Sequence, residues 1–167
     1  MDKRMTRSTW QRAACTTLAG SSDWFERGFV TYSNAAKVQQ LGVDIELIDA
    51  HGAVSEAVVA AMVAGALLKS PADLAVAVTG IAGPGGAVAG KPVGTVWLAL
   101  MQRGGAARAE RLQLDGDRAS VRAQTVVIAL QRLISSRARD RRCVRAARRP
   151  AVRAGWRQQR RPHCAGR

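Results

Sequence analysis

A phenol and an amine stand five positions apart in Glu26-Arg-Gly-Phe-Val-Thr-Tyr-Ser-Asn-Ala-Ala-Lys37. Phe29, Val30, Thr31 and Tyr32 are β-branched or aromatic, the composition strands prefer. Asn34 is a natural helix N-cap, and Gly42 ends the run that carries Lys37, Val38 and Leu41. The segment therefore predicts a short strand that delivers Tyr32 to the mouth of a helix bearing Lys37. A phenol and an amine at a strand-to-helix junction suit proton-transfer chemistry. The same spacing also fits a tyrosine on a strand edge and a solvated lysine.

A second candidate is the glycine-rich stretch Thr79-Gly-Ile-Ala-Gly-Pro-Gly-Gly-Ala87, which follows the short apolar run Leu74-Ala-Val-Ala-Val78. Ligands of open α/β sheets bind beyond the carboxyl ends of strands. Gly80, Gly83, Gly85 and Gly86 would let backbone amides approach an anion closely. The stretch matches neither GxGxxG nor GxxxxGK[ST], and a flexible surface turn would read the same. Lys91, before Pro92, adds a cation that faces either a phosphate or water.

These residues need a scaffold, and the chain supplies one. Ser55 caps an alanine-rich helix from Glu56 to Lys69, with an acid in its first turn and a base in its last, as the helix dipole favours. Val93–Leu100 reads as a second strand and Glu110–Leu114 as a weaker third. Asp117 caps a last helix whose apolar face is Val121, Thr125, Ile128, Leu130 and Leu133. Strands interspersed with helices make an α/β domain. A chain of 167 residues with 47% hydrophobic content is long enough for one buried core.

Composition excludes several classes. No apolar run approaches the roughly 20 residues of a membrane span, and Met1-Asp-Lys-Arg-Met-Thr-Arg7 has no apolar stretch behind it, so a cytoplasmic protein is expected. Three cysteines, Cys15, Cys143 and Cys164, are too few and too scattered for a disulfide framework. Cys143, His163 and Cys164 lack the spacing of a metal site. The net charge of +14 would suggest nucleic acid, but it is unevenly spread. Residues 1–134 hold 14 Lys+Arg against 11 Asp+Glu, whereas 135–167 hold 12 Arg against the single acid Asp140. That terminal stretch has no Lys, Glu, Leu or Ile, the mixture that GC-rich coding DNA yields when read out of frame. The functional alternative is a basic arm that binds polyanions. On either reading it is expected to be mostly disordered, because it is too poor in aliphatics to bury a core.

Four blocks together resemble one family. They are Ala19–Lys37, His51-Gly-Ala-Val-Ser-Glu56, Val78-Thr-Gly-Ile-Ala-Gly-Pro-Gly-Gly86 and Lys91-Pro-Val-Gly-Thr-Val-Trp97, with Gly116-Asp-Arg118 fitting as well. In order and spacing they resemble the C-terminal domain of CinA, the nicotinamide-nucleotide amidase family, over roughly Trp10 to Ile134. The resemblance implies a three-layer α/β/α sandwich around a central mixed sheet, without the first helix and strand of the family domain. It divides the chain into a divergent 1–9, a domain at 10–134 and an arginine-rich tail at 135–167. It implies a hydrolase that converts nicotinamide mononucleotide to nicotinate mononucleotide and ammonia in pyridine-nucleotide salvage, with no metal or organic cofactor. Its partner would be that small pyridine mononucleotide and, as an option, further copies of the chain. Membranes are not expected, and nucleic acid only non-specifically through 135–167.

The family's nucleophile looks like the Ser of a Glu-Ser-Cys-Thr-Gly-Gly motif, assisted by a Lys and a Tyr. Those two carry over onto Lys37 and Tyr32, and Gly80, Ala82, Gly83 and Gly85 are implied to line the nucleotide site. The nucleophile does not carry over. Counting back from Trp10, Arg4-Met-Thr-Arg-Ser-Thr9 occupies its motif, and its position is Met5, whose thioether cannot attack an amide. Two alternatives remain beside an active amidase: a nucleotide-binding remnant without the nucleophile, and polyanion binding through the tail.

Overall fold

The computed structural model describes residues 19–147, and side chains as far as Ser136. After a 3-10 turn at Ser21–Asp23 come three helices, α1 (Asn34–Leu41), α2 (Ile45–His51) and α3 (Glu56–Leu68). Three strands follow, β1 (Leu74–Gly80), β2 (Thr95–Gln102) and β3 (Arg108–Gln113), and then the long helix α4 (Arg118–Ala147).

Each helix starts where a short polar side chain can satisfy a free N–H. Asp44 accepts from Glu46 N at 3.0 Å at the start of α2, and Ser55 from Val58 N at 3.4 Å at the start of α3. Asp117 accepts from Ser120 N at 2.8 Å at the start of α4. The cap of α1 is Ser33, whose Oγ accepts from Ala36 N at 3.1 Å, and not Asn34, which is the first helical residue. Gly42 ends α1 in the left-handed region at φ 69°, as its position in the sequence implies.

The strands pair in the order β1-β2-β3, antiparallel throughout. Parallel neighbours need a crossover, normally helical. The connections 81–94 and 103–107 contain no helix, so the described part of the sheet has no parallel pair and the expected mixed character is not found in it. The expected strand at Phe29–Tyr32 is also not formed among the described residues. The segment has no regular structure and no ladder partner there, and Phe29 packs against the core instead.

Alternation along β2 divides the interior in two. Ala77, Ala99 and Ala109 are aligned across the three strands and, with Trp97 and Met101, face α3. On this side Val58, Val59, Met62 and Val63 of α3 form one cluster with Leu41, Val43 and Ile48. Val58, Val59 and Val63 have no exposed surface, and burying each such side chain is worth roughly 1.5–3 kcal/mol. On the other side Val96 and Leu114 pack with Val121 of α4. Helices thus cover both faces, and the three-layer α/β/α arrangement implied by the resemblance is observed.

The boundary expected at Ile134 falls inside α4, which continues to Ala147. Arginine and alanine dominate 137–147 and are strong helix formers, so the helix outlasts its apolar face. The rest of the tail, 148–167, and the divergent 1–9 lie outside the described residues.

Candidate functional site

Lys37 sits one turn into α1, four residues before Leu41, so both point to the same face of the helix. That face is pressed onto α3. A Cβ added to Gly65 would overlap the carbonyl oxygen of Leu41, so the two helix backbones meet there without a side chain between them. The result is a lysine only 5% exposed. No hydrogen bond or ion pair of its ammonium occurs among the described residues, where ion pairs form instead at Arg27–Glu26 and Arg132–Glu110. Burial lowers its pKa from the ordinary lysine value, because the charged form loses water and gains nothing in return. A buried amine of this kind gives up its proton more readily than an exposed lysine does.

Tyr32, the other half of the junction, stands 75% exposed just before the Ser33 cap. The structure therefore places the two predicted residues in opposite surroundings, the amine buried and the phenol largely in solvent. The chain entering α1 is held from the helix side, where Gln40 Nε2 donates to Val30 O at 3.4 Å.

Gly80 ends β1, and Ala82, Gly83 and Gly85 lie on the connection that follows it to β2. It is strongly constrained. Ile81 N donates to Thr95 O at 2.9 Å, and Gly94 N to Ile81 O at 2.7 Å, closing its base. Gly83, at φ 77°, lies so close to Val93 that a Cβ would contact its Cγ1 at 2.6 Å. Ala82 packs on the α4 side of the sheet, whereas Val38 and Leu41 of α1 pack on the α3 side. Gly85 has open space around it, so the tip of the loop can admit another molecule's atoms.

Three side chains fasten this loop to its surroundings. Thr79 Oγ1 donates to Ala53 O at 2.8 Å, and Lys91 Nζ to His51 O at 2.8 Å. Both tie the loop to the α2–α3 turn, on the layer that holds Lys37. Lys91 thus has a defined partner, the carbonyl end of α2, where a cation also suits the helix dipole. From the other layer Arg118 Nη1 donates to Gly83 O at 2.7 Å. Arg118 has no separate role in the sequence pattern, where it stands only within Gly116-Asp-Arg118. The available signal was its place in the first turn of a helix, where a cation opposes the dipole and needs another reason to be there. Asp117 beside it is held below the usual carboxylate range, first by the Ser120 side chain and then by the Ser120 backbone.

Met5 lies outside the described residues. No cluster of three or more His, Cys, Asp or Glu that could hold a metal occurs among the described residues. The side chain of Cys143 and all of His163 and Cys164 lie outside them.

A small antiparallel sheet between helical layers, with a buried lysine that has no partner among the described residues on one layer and a fastened glycine-rich loop at the strand ends, defines an α/β domain. The model of the CinA C-terminal domain matches residues 10–136, and the chain belongs to that family. Among curated relatives it is 52% identical over 124 residues to the nicotinamide-nucleotide amidohydrolase PncC of Escherichia coli K12, covering 74% of this chain and 75% of that protein. It is 56% identical over 121 residues to the protein of the same name from Pseudomonas putida, covering 72% and 75%. Among solved structures, the competence/damage inducible protein CihA from Agrobacterium tumefaciens superposes with a TM-score of 0.73 at 47% identity, covering 75% of this chain and 77% of that one. These relatives place the chain in an amidohydrolase family. No described helix is long and apolar enough to cross a membrane.

Proposed function

We propose that this chain carries the nucleotide-binding and proton-transfer half of a nicotinamide-nucleotide amidase site, acting on nicotinamide mononucleotide in the cytoplasm. The observation that carries this reading is Lys37, an amine buried to 5% exposure with no counter-charge among the described residues. Structural lysines are rarely buried in this way, because an unpaired buried charge is costly. Desolvation of this kind is one way a lysine amine becomes a usable base beside a hydroxyl nucleophile.

In such a reaction the neutral Lys37 amine takes the proton of the attacking hydroxyl as its oxygen bonds to the carboxamide carbon. The C–N bond then breaks, and the lysine ammonium returns the proton to the leaving nitrogen, which departs as ammonia. Water cleaves the resulting ester to nicotinate mononucleotide by the same proton path. Tyr32, exposed at the entrance to α1, orients or relays that proton. Gly80, Ala82, Gly83 and Gly85 line the nucleotide side, with backbone groups and the open space at Gly85 available to the phosphate. The working unit is 10–134, with 1–9 and 135–167 as flanks. No metal or organic cofactor enters this scheme. A homo-oligomer is compatible with it and not required.

A second reading is favoured by one residue. Met5 holds the nucleophile's place, and a thioether cannot form the acyl intermediate. On this reading the chain binds the mononucleotide without turning it over. Ammonia release with nicotinamide mononucleotide, compared between this chain and one carrying Glu-Ser-Cys-Thr-Gly-Gly at Arg4–Thr9, separates the two. Turnover only in the restored chain supports the site and the binding-only reading. No turnover in either, together with no heat of binding at millimolar mononucleotide, overturns the proposal.

A further inference from the structure

The two edges of the sheet are finished differently. Just beyond the ends of β1, Ile81 N donates to Thr95 O at 2.9 Å and Arg103 N to Asp73 O at 2.8 Å. In an antiparallel ladder, residues that bond to one neighbour alternate with residues whose backbone groups face away from it. These two bonds therefore assign Ala75, Ala77 and Thr79 to β2 and turn the N–H and C=O groups of Leu74, Val76 and Val78 outward. β1 has no second ladder partner among the described residues. Both of its faces are apolar: Ala75 and Ala77 join the cluster on the α3 side, and alternation puts Leu74, Val76 and Val78 on the α4 side, where they are half-buried. The strand contains no charge and no proline, the devices that normally blunt an edge. β3, at the other edge, carries Arg108, Glu110 and Arg111; Arg111 Nη2 donates to Gly90 O at 2.7 Å, and Arg132 holds Glu110.

We infer that β1 is a docking edge for the same strand of a second copy of the chain, paired antiparallel about Val76, so that two three-stranded sheets become one. In that register Val76 meets Val76 across a two-fold axis and Leu74 meets Val78, and each such pair exchanges two N–H···O bonds. The outward groups of all three residues are then satisfied, which half-buried backbone requires. Ala75 stands opposite Ala77, so each face of one sheet continues into the same face of the other. The character of the edge selects its occupant. An added strand has Leu74, Val76 and Val78 as neighbours on one face and Ala75 and Ala77 on the other, so it must be apolar on both. Leu74–Val78 of a second copy meets that condition and brings no charge to the contact, whereas an ordinary surface strand with one polar face does not. The two-fold uses up both edges, so association stops at two copies. Gly80 and the loop after it lie outside the paired stretch, and the interface is independent of the amidase reading.

The test is sedimentation velocity of the full chain between about 1 and 100 µM, with residue-resolved amide exchange at both ends of that range. Sedimentation should show a monomer–dimer equilibrium. The amides of Leu74, Val76 and Val78 should exchange at least about tenfold more slowly at the high concentration, while those of Ala75, Ala77 and Thr79, bonded to β2, should not respond. Val76→Pro removes an outward donor at the two-fold and leaves every bond to β2 in place, as an edge strand tolerates. Because the lost donor counts twice in the dimer, association should weaken at least about thirtyfold. Val127→Ser, at an exposed apolar position on α4, should change it less than about twofold. If Val76→Pro does not melt cooperatively, the amide comparison on the unaltered chain decides. A monomer throughout the range overturns the inference. So does a dimer whose outward β1 amides ignore concentration, the result expected if residues 1–18 cover the edge or another surface makes the contact.

Discussion

The two halves of the candidate site are held by opposite means. The glycine-rich loop is fixed by directed polar contacts: Thr79 to Ala53, Lys91 to His51, Arg118 to Gly83, and the backbone pairs of Ile81 with Thr95 and Gly94 with Ile81. Lys37 is fixed by packing alone, on a helix that touches α3 at Leu41 and Gly65 and gives its ammonium no partner among the described residues. Both arrangements position atoms, but only the second leaves the positioned group unsatisfied. Lys91 is the instructive counterpart. It has the same chemistry, and its donation to a carbonyl leaves it a fastener, whereas the unmatched amine is left with a basic nitrogen to use.

The largest expected effect breaks the half held by packing at its chemistry. In a chain with Glu-Ser-Cys-Thr-Gly-Gly restored at Arg4–Thr9, Lys37→Met should cut ammonia release by about 10³-fold or more, since general base catalysis is typically worth 10²–10⁴. Lys91→Met in the same background should lower it far less. Equal losses would show that the two lysines do not differ in kind. Next in size is the contact that places Lys37. Gly65→Ala puts a methyl group against the backbone oxygen of Leu41, which no side-chain rearrangement relieves. Overpacking of this kind costs about 2–3 kcal/mol, even though alanine is the better helix former. Urea denaturation measures it, and a loss below about 1 kcal/mol would mean that α1 can lift from α3 cheaply.

The pH dependence of stability follows from the same unmatched amine. Burial sets the folded pKa of Lys37 below its unfolded value of 10.5. Between those two values the unfolded chain binds more protons than the folded one, so stability rises with pH across that window. Below the folded pKa the full cost of the buried charge is present. Lys37→Met removes this cost and is expected to be more stable than the parent at neutral pH, by about 1–2 kcal/mol given how such burial is compensated by relaxation. The gap should narrow as pH climbs toward 10.5. A gap independent of pH would mean that the ammonium is solvated in the folded state.

Arg118 tests the half held by hydrogen bonds. Arg118→Gln loses the 2.7 Å donation to Gly83 O, a charge-assisted bond of the kind worth about 1.5–3 kcal/mol. Because Gln can still reach part-way, and Gly83 is also packed against Val93, a stability loss near 1.5 kcal/mol is expected. Mononucleotide affinity by calorimetry should weaken about tenfold, which corresponds to about 1.4 kcal/mol. A variant that loses stability but binds normally would mean that the fastened loop does not shape the nucleotide side.

The different ways the halves are held also explain what could be read from the sequence. Helices α3 and α4 and all three strands announce themselves, because Ser55, Asp117 and the apolar runs at 74–78 and 93–100 act locally. The blocks around Tyr32, Lys37 and the glycine loop were legible as a family pattern. Depth was not. Nothing at positions 32 and 37 says that one will be 75% exposed and the other 5%, because that depends on Leu41 meeting Gly65 from another helix. The strand expected at Phe29–Tyr32 is not formed among the described residues, for a similar reason. Its residues suit a strand, but a strand exists only through its partner.

The smallest effect concerns the start of α1. Ser33 and Asn34 are both good capping residues, and Asn34 is the one expected from the sequence. The structure gives the cap to Ser33, in extended geometry at φ −86° and ψ 162°, with its Oγ on Ala36 N at 3.1 Å. Asn34 is already inside the helix. Ser33→Ala should therefore cost about 1 kcal/mol, and Asn34→Ala should be neutral or slightly stabilising, since alanine is the better residue at an interior position. Chemical denaturation of the two single variants decides it. The comparison also bears on Lys37, because α1 holds the amine by packing on one face, and the cap sets where that helix begins. If Asn34→Ala is the costlier change, α1 starts one residue later in solution, without the Ser33 bond that orients its first turn.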